Sequence, residues 1–531
     1  MMNRRALPGT AIGFALIVGI LSGPLSGALA QAPGQTALPS GAAKIGESLT
    51  EYLRSSGVGD ESDRVSARGP SILIILKAQA NLRGAELLKS KDEKGRFVYD
   101  QLRQIALTTQ GDLVELLREY GVEFQRFHIL NAIVVEHASR TLIRELSLRD
   151  DVGRVIANPA VKSRIPQLDT DTSVQASPFR GVGDNIKRVG ANRVWVDFKV
   201  KGEGIVIGTQ DTGVKWDHPA LIGHYRGNKT DPRGVSHDFN WHDSVRKALG
   251  AAHTNRCGYL LKAPCDDQDH GTHTLGTAIG DDGKGNMIGM APGAKWIACR
   301  GMDAGVGAPA NYLECFEWFL APYPTNADPM RNGDPTKAPH VINNSWACPK
   351  EEGCEGGELL PVVNSLRKAG ILVVAAAGND GPDCLTINAP PASYSDGILS
   401  VGAINHRNEK IAFFSSRGPS KYDGGIGPDV MAPGVSIRSS TPDGEYQEAN
   451  WSGTSMASPH VVGEVALLWS AKKALIGDID KTIKIIRDTA EPRISTQMCG
   501  GVPGNVIPNN TYGYGVIDAY QAVKSVLRPR E

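Results

Sequence analysis

The stretch Gly453-Thr454-Ser455-Met456-Ala457-Ser458-Pro459-His460 presents one serine on a tight turn, ahead of the apolar positions Val461, Val462, Val465, Ala466, Leu468 and Trp469. Those positions read as a buried helix. Pro459 is compatible with it, because amides in a first helical turn have no intrahelical acceptor and a missing N–H there costs little. At the positive end of a helix dipole, a developing alkoxide or oxyanion is favoured. Such a serine still needs a base.

Upstream, Gly204-Ile205-Val206-Ile207-Gly208-Thr209-Gln210 is a short apolar run of the kind a buried parallel strand shows, and it ends in Asp211-Thr212-Gly213-Val214. Ligand sites of open α/β sheets lie at the carboxyl ends of such strands. Asp269-His270-Gly271-Thr272-His273-Thr274-Leu275-Gly276-Thr277 then sets a histidine at the head of a helix of small residues. A neutral serine hydroxyl is a poor nucleophile; an imidazole must take its proton and a carboxylate must hold that imidazole in one tautomer. Asp211, His270 and Ser455 supply these roles. A cluster of Asp269, His270 and His273 would suit a metal-dependent hydrolase, but it is not HExxH and offers no general-base glutamate, so His273 is read as packing.

In this order, DTGV, HGTHTLGT and GTSMASPH resemble the three signatures of the subtilisin-like serine proteases, or subtilases, over about Ile186 to Leu527. The Asp…His…Ser order is that of the subtilisins themselves, so it belongs to the resemblance and not to spacing. The resemblance implies an α/β, three-layer fold with a central parallel sheet, and hydrolysis of peptide bonds through an acyl-enzyme. It makes Asn379, at the end of Ile371–Gly378, an oxyanion donor together with the Ser455 backbone N–H. Ser345, Trp346 and Ala347, with Ala376, Ala377 and Gly378, would line the primary specificity pocket, with Ala389 near its floor. Subtilases usually carry glycine where Ala347 falls. None of these residues is charged, which points to an apolar or medium-sized substrate side chain. No cofactor is required; a structural calcium ion is left open, although Asp281-Asp282-Gly283-Lys284-Gly285-Asn286 reads as a plain turn rather than the family's strongest calcium loop. A peptide-binding pseudoprotease is the other reading, and the intact Asp211, His270, Ser455 and Asn379 count against it.

Lysine plus arginine equals aspartate plus glutamate at 57 each in 531 residues, so no global field draws nucleic acid. Residues 1–30 carry Arg4 and Arg5, an apolar run and Ala28-Leu29-Ala30, which reads as a signal peptide and predicts secretion, extracellular or periplasmic, without a membrane anchor. Residues 31–70, rich in Ala, Gly, Pro and Ser, read as a mostly flexible leader with a helix around Ile45 to Leu53. Over 71–165 the pattern is βαββαβ: strands at Ser71–Lys77, Glu123–Ile129, Asn131–His137 and Val152–Ala157, and helices at Asp92–Tyr120 and Ser139–Leu148. That is the order of a small ferredoxin-like α+β domain, and it resembles the inhibitory propeptides of subtilases. Residues 166–184 form a processing linker, with self-cleavage expected between Lys162 and Arg180, and 185–531 the catalytic domain. The expected partners are polypeptide substrates and the chain's own propeptide as intramolecular inhibitor, in a monomer.

All 8 cysteines lie beyond residue 250, and an even number in an exported protein suggests disulfides. Cys257 and Cys265 flank one loop, and Cys348 and Cys354 another. A four-cysteine zinc site is disfavoured by the spacing. For the other four, the family register implies Cys299 with Cys315 and Cys384 with Cys499.

Overall fold

Adjacent residues on single strands face two different cores. Val341 packs into one apolar cluster and Ile342 into another, and Leu372, Val373, Val374 and Ala375 alternate in the same way. A strand buried on both faces must lie in a middle layer. The computed structural model describes residues 42–55, 69–162, 167–168, 181–229, 234–250, 255–447 and 451–527. The expected signal peptide, much of the leader and most of the linker fall outside them.

The central sheet runs in the order Lys410–Ile411, Ile398–Asn405, Leu372–Ala376, Val341–Asn344, Val206–Asp211, Lys295–Arg300, Trp241–Asp243, with Val430–Pro433 also pairing to Ile398–Asn405. All pairings are parallel except that of Lys410–Ile411. After Val206–Asp211 the chain first builds strands on one side, then returns to build the other. The carboxyl ends beside that strand therefore open at the switch point where such folds bind ligands. The helices His270–Ile279, Thr454–Ala471 and Ala519–Leu527 contribute to one apolar cluster, and Pro309–Leu320 and Leu360–Lys368 to the other. This is the three-layer α/β arrangement read from the sequence.

The smaller α+β unit contains β1 (Ile72–Leu76), α2 (Lys91–Thr109), α3 (Gly111–Glu119), β2 (Phe124–Phe127), β3 (Ala132–Val135), α4 (Arg140–Leu148) and β4 (Val152–Ala157). Its strands order as β2-β3-β1-β4, all antiparallel, which is the ferredoxin-like order. Where one helix was expected from Asp92 to Tyr120, two occur. The break falls at Gln110, whose buried side chain donates to Phe127 O and to Asn131 Oδ1 and accepts from Arg126 Nε. Part of the expected leader is folded: α1 (Glu47–Ser55) buries Leu49 on this unit, and Gly46 N donates to Val155 O. Ile45, Leu49, Tyr52 and Leu53 form the apolar stripe of the helix expected in that segment. The unit's other sheet face, through Leu73, Val134 and Ile156, joins the cluster containing Pro309–Leu320 residues.

Beyond β4 the chain continues as β5 (Val161–Lys162), antiparallel to Val306–Gly307, and β6 (Gln167–Leu168), antiparallel to Trp451–Ser452. The four disulfides are Cys257–Cys265, Cys299–Cys315, Cys348–Cys354 and Cys384–Cys499.

Candidate active site

Asp211 ends a central strand, and its side chain is held from three sides. His270 Nδ1 lies 2.7 Å from Oδ1, Thr212 N donates to Oδ1 at 2.8 Å, and Thr274 Oγ1 donates to Oδ2 at 3.2 Å. Two glycines let the strand end and the helix head meet. A Cβ at Gly213, where φ is 110°, would lie 1.8 Å from Cys265 O, and one at Gly271 would lie 2.1 Å from Gly213 O. Only glycine fits either place.

His270 is fully buried. Burial alone pushes its imidazole down, but the charge and hydrogen bond of Asp211, with the charge of Asp266, outweigh that, and its pKa stands above the ordinary histidine value. With Nδ1 on the carboxylate, the other nitrogen, Nε2, is a buried atom with no hydrogen-bond partner. His273, one turn along, stacks on Trp451 at 4.7 Å, its Nε2 bonded to Ile437 O. Burial drops its pKa to about 3, so it is neutral.

Ser455 sits in the first turn of Thr454–Ala471, after an extended Gly453. Its Oγ donates to Ser345 O at 3.2 Å rather than to His270 Nε2. Pro459 stands beyond the first turn, contrary to the sequence reading, so an intrahelical bond is lost. The carbonyl it would have bonded, Ser455 O, instead accepts from Ser345 Oγ at 3.2 Å. Ser345 Oγ also contacts Ser458 Oγ and Asn343 Nδ2, and Ser458 Oγ donates to Asn343 Oδ1. The strand end thereby locks the turn that carries the serine.

Asn379 Oδ1 accepts from both Thr454 N and Thr454 Oγ1 at 2.9 Å. A backbone N–H can only donate, so the amide must present Oδ1 to it and turn its Nδ2 donors elsewhere. Ser345, Trp346, Ala347, Ala376, Ala377, Gly378, Asn379, Ala389 and Ser455 line one cavity, together with Lys162, Pro349, Asp380, Asn388 and Thr454. All six expected wall residues are thus brought to Ser455. Lys162 comes from β5, outside the large domain.

Two buried groups behind the site were not singled out in the sequence. Asp266 is fully buried and accepts from Thr212 Oγ1 (2.8 Å), Thr272 N and Oγ1, Gln268 N and Asp269 N, tying the Asp211 turn to the His270 helix. Arg300, opposite Asp211 in the strand register and with no exposed surface, pairs with Asp243, Asp267 and Asp303. Asp266 stood only in the run Cys265-Asp266-Asp267, which composition cannot separate from a solvated loop, and Arg300 stood only at the end of the apolar run Trp296–Cys299.

A family profile described as the subtilase family matches residues 202–515. Bacillopeptidase F of Bacillus subtilis (strain 168) is 35% identical over 468 residues, which is 82% of this chain but 29% of that protein. The chain therefore spans under a third of bacillopeptidase F. Serine protease AprX of the same organism is 28% identical over 383 residues, 67% of this chain and 73% of AprX. Subtilisin E, also from that strain, is 36% identical over 207 residues, 39% of this chain and 46% of subtilisin E.

Proposed function

The chain belongs to the subtilase family, and from that premise we propose that it is a secreted serine endopeptidase made as a self-processing zymogen. One observation carries the reading: a carboxylate at a strand's carboxyl end holds a buried histidine by Nδ1 and leaves Nε2 without a partner, and the helix that begins at this histidine packs against the helix whose first turn carries Ser455. A buried nitrogen left unsatisfied costs stability, and a catalytic role is one account of why it is kept.

In the proposed reaction Ser455 Oγ leaves the Ser345 carbonyl, turns to His270 Nε2, gives it the proton and attacks the peptide carbonyl. Asp211 stabilises the imidazolium through Nδ1–H. The oxyanion takes hydrogen bonds from Asn379 Nδ2 and Ser455 N–H. His270 then protonates the leaving amine, and water cleaves the acyl-enzyme by the same steps in reverse.

The zymogen reading is supported by β5 and β6. Val161–Lys162 pairs with Val306–Gly307 and brings Lys162 into the cavity that Ser455 lines, and Gln167–Leu168 pairs with the strand that leads into Ser455. We place the cut between Lys162 and Gln167, inside the expected range of 162 to 180, and assign residues 71–165 as the inhibitory propeptide. Secretion is supported by the signal-peptide pattern of residues 1–30 and by four disulfides. No helix among the described residues is long and apolar enough to cross a membrane.

Treating the purified enzyme with a fluorophosphonate and, separately, with a chelator separates the rival classes. We expect a covalent adduct on Ser455 and activity that survives chelation. An unlabelled Ser455, with activity lost to the chelator and restored by zinc, would establish a metal-dependent hydrolase instead.

A further inference from the structure

The loop after Ser345-Trp346-Ala347 is closed by the Cys348–Cys354 disulfide and contains one 3₁₀ turn, Lys350–Glu352. Gly353 ends that turn at φ 94°, and its N–H donates to Lys350 O. Turn and disulfide together fix the backbone of Glu352, so only side-chain rotamer freedom remains to be lost when its carboxylate binds something. Its Oε2 accepts the backbone N–H of Lys162 at 2.7 Å.

Lys162 lies opposite Val306 in the antiparallel pairing and lines the same cavity as Ser455. Along a strand, alternate residues turn their N–H groups to opposite edges. The Lys162 amide accordingly looks away from Val306–Gly307, and what meets it is a carboxylate. Such charge-assisted hydrogen bonds are shorter and stronger than neutral ones.

We propose that Glu352 is a substrate-binding residue, receiving the backbone N–H of whichever peptide residue occupies the position of Lys162. The proposal rests on the peptidase reading and adds to it a requirement for length. The contact is blind to side chains and asks only for an N–H. A peptide reaching that position binds better than one stopping short, and a proline or N-methyl residue there forfeits the bond. The same loop also meets the smaller unit, through Lys350 with Glu47, Glu355 with Arg154 and Gly353 O with Ser48 Oγ. Docking of that unit alone is therefore the competing role.

Two measurements decide between them. In the full chain carrying Ser455→Ala, amide hydrogen exchange at Lys162 should be slow, and Glu352→Ala should speed it about tenfold relative to Val306 and Gly307. The full chain is then expressed and matured, and synthetic peptides compete with a chromogenic substrate. One covers residues 158–168, one is acetylated 163–168, and one is the long peptide N-methylated at Lys162. Glu352→Ala is expected to erase about tenfold of the long peptide's advantage in Ki over the short one. N-methylation should cost the parent the same factor and the variant nothing further, and Glu352→Gln should keep part of the advantage.

Equal weakening of long and short peptides would overturn the proposal, as would faster exchange with unchanged Ki, which would leave Glu352 a docking residue only. A parent that hydrolyses nothing contradicts the peptidase reading instead, and fluorescence anisotropy of the labelled peptides then makes the same comparison.

Discussion

Glu464 sits about two and a half turns beyond Ser455 on a helix buried around its whole circumference from Thr454 to Trp469. Both of its carboxylate oxygens are buried without a partner. Burial, with the nearby charge of Asp518, pushes its pKa well above the carboxylate range, so it is held protonated in the folded state. The folded chain then binds this proton more tightly than the unfolded one. The associated stability is complete below the unfolded value near 4.3 and is lost as pH rises toward the folded value. Glu464→Gln, neutral at all pH, should show a gain in Tm over the parent that grows by about 1 °C per pH unit above pH 5. Thermal scans in a Ser455→Ala background would measure it, and a gain independent of pH would contradict the assignment. Asn379→Ala should lower kcat by about two to three orders of magnitude with little change in KM, the effect of losing an oxyanion donor as measured in a subtilisin. Steady-state kinetics showing parental kcat would remove Asn379 from the oxyanion site. The positions of Asp211, His270 and Ser455 were legible because they stand at the end of a recognisable strand or the head of a helix, whereas the role of Asn379 came with the family resemblance. Glu464, Asp266 and Arg300 were not, because periodicity assigns a charged residue to an exposed face, and here no such face exists.

Among the elements, buried strands and their polar ends read directly from short apolar runs, since a middle-layer strand has no polar face to blur the pattern. The departures trace to contacts distant in sequence. The break at Gln110 is fixed by Phe127 and Asn131, and the compensation for Pro459 is supplied by Ser345. The helix expected around Ile45 to Leu53 does form, as α1, with Leu49 entering the core of the smaller unit. The disulfides differ in what they close. Cys384–Cys499 spans 115 residues and Cys348–Cys354 only 6. Loop-closure entropy assigns about 5 kcal/mol to the first and about 2 to the second. Replacing the long pair by serine should lower Tm more than replacing the short pair, again in a Ser455→Ala background. The reverse order would show that the short bridge stabilises through native contacts instead.

For the molecule as a whole, the described parts of the smaller unit and of the chain after it meet the large domain at three places. Leu73, Val134 and Ile156 share a core with residues of Pro309–Leu320, β5 pairs with Val306–Gly307, and β6 pairs with Trp451–Ser452. The sequence led to an expected cut between Lys162 and Arg180; which residues pair with which depends on strand partners more than a hundred positions away. Self-processing requires Ser455 to cut the tail that follows the smaller unit. N-terminal sequencing of the full chain and of Ser455→Ala, both made in a protease-free host, tests it most directly. The parent should begin between Ser163 and Gln167, and the variant should keep its small domain. A variant that still begins there would contradict self-processing and assign the cut to another enzyme.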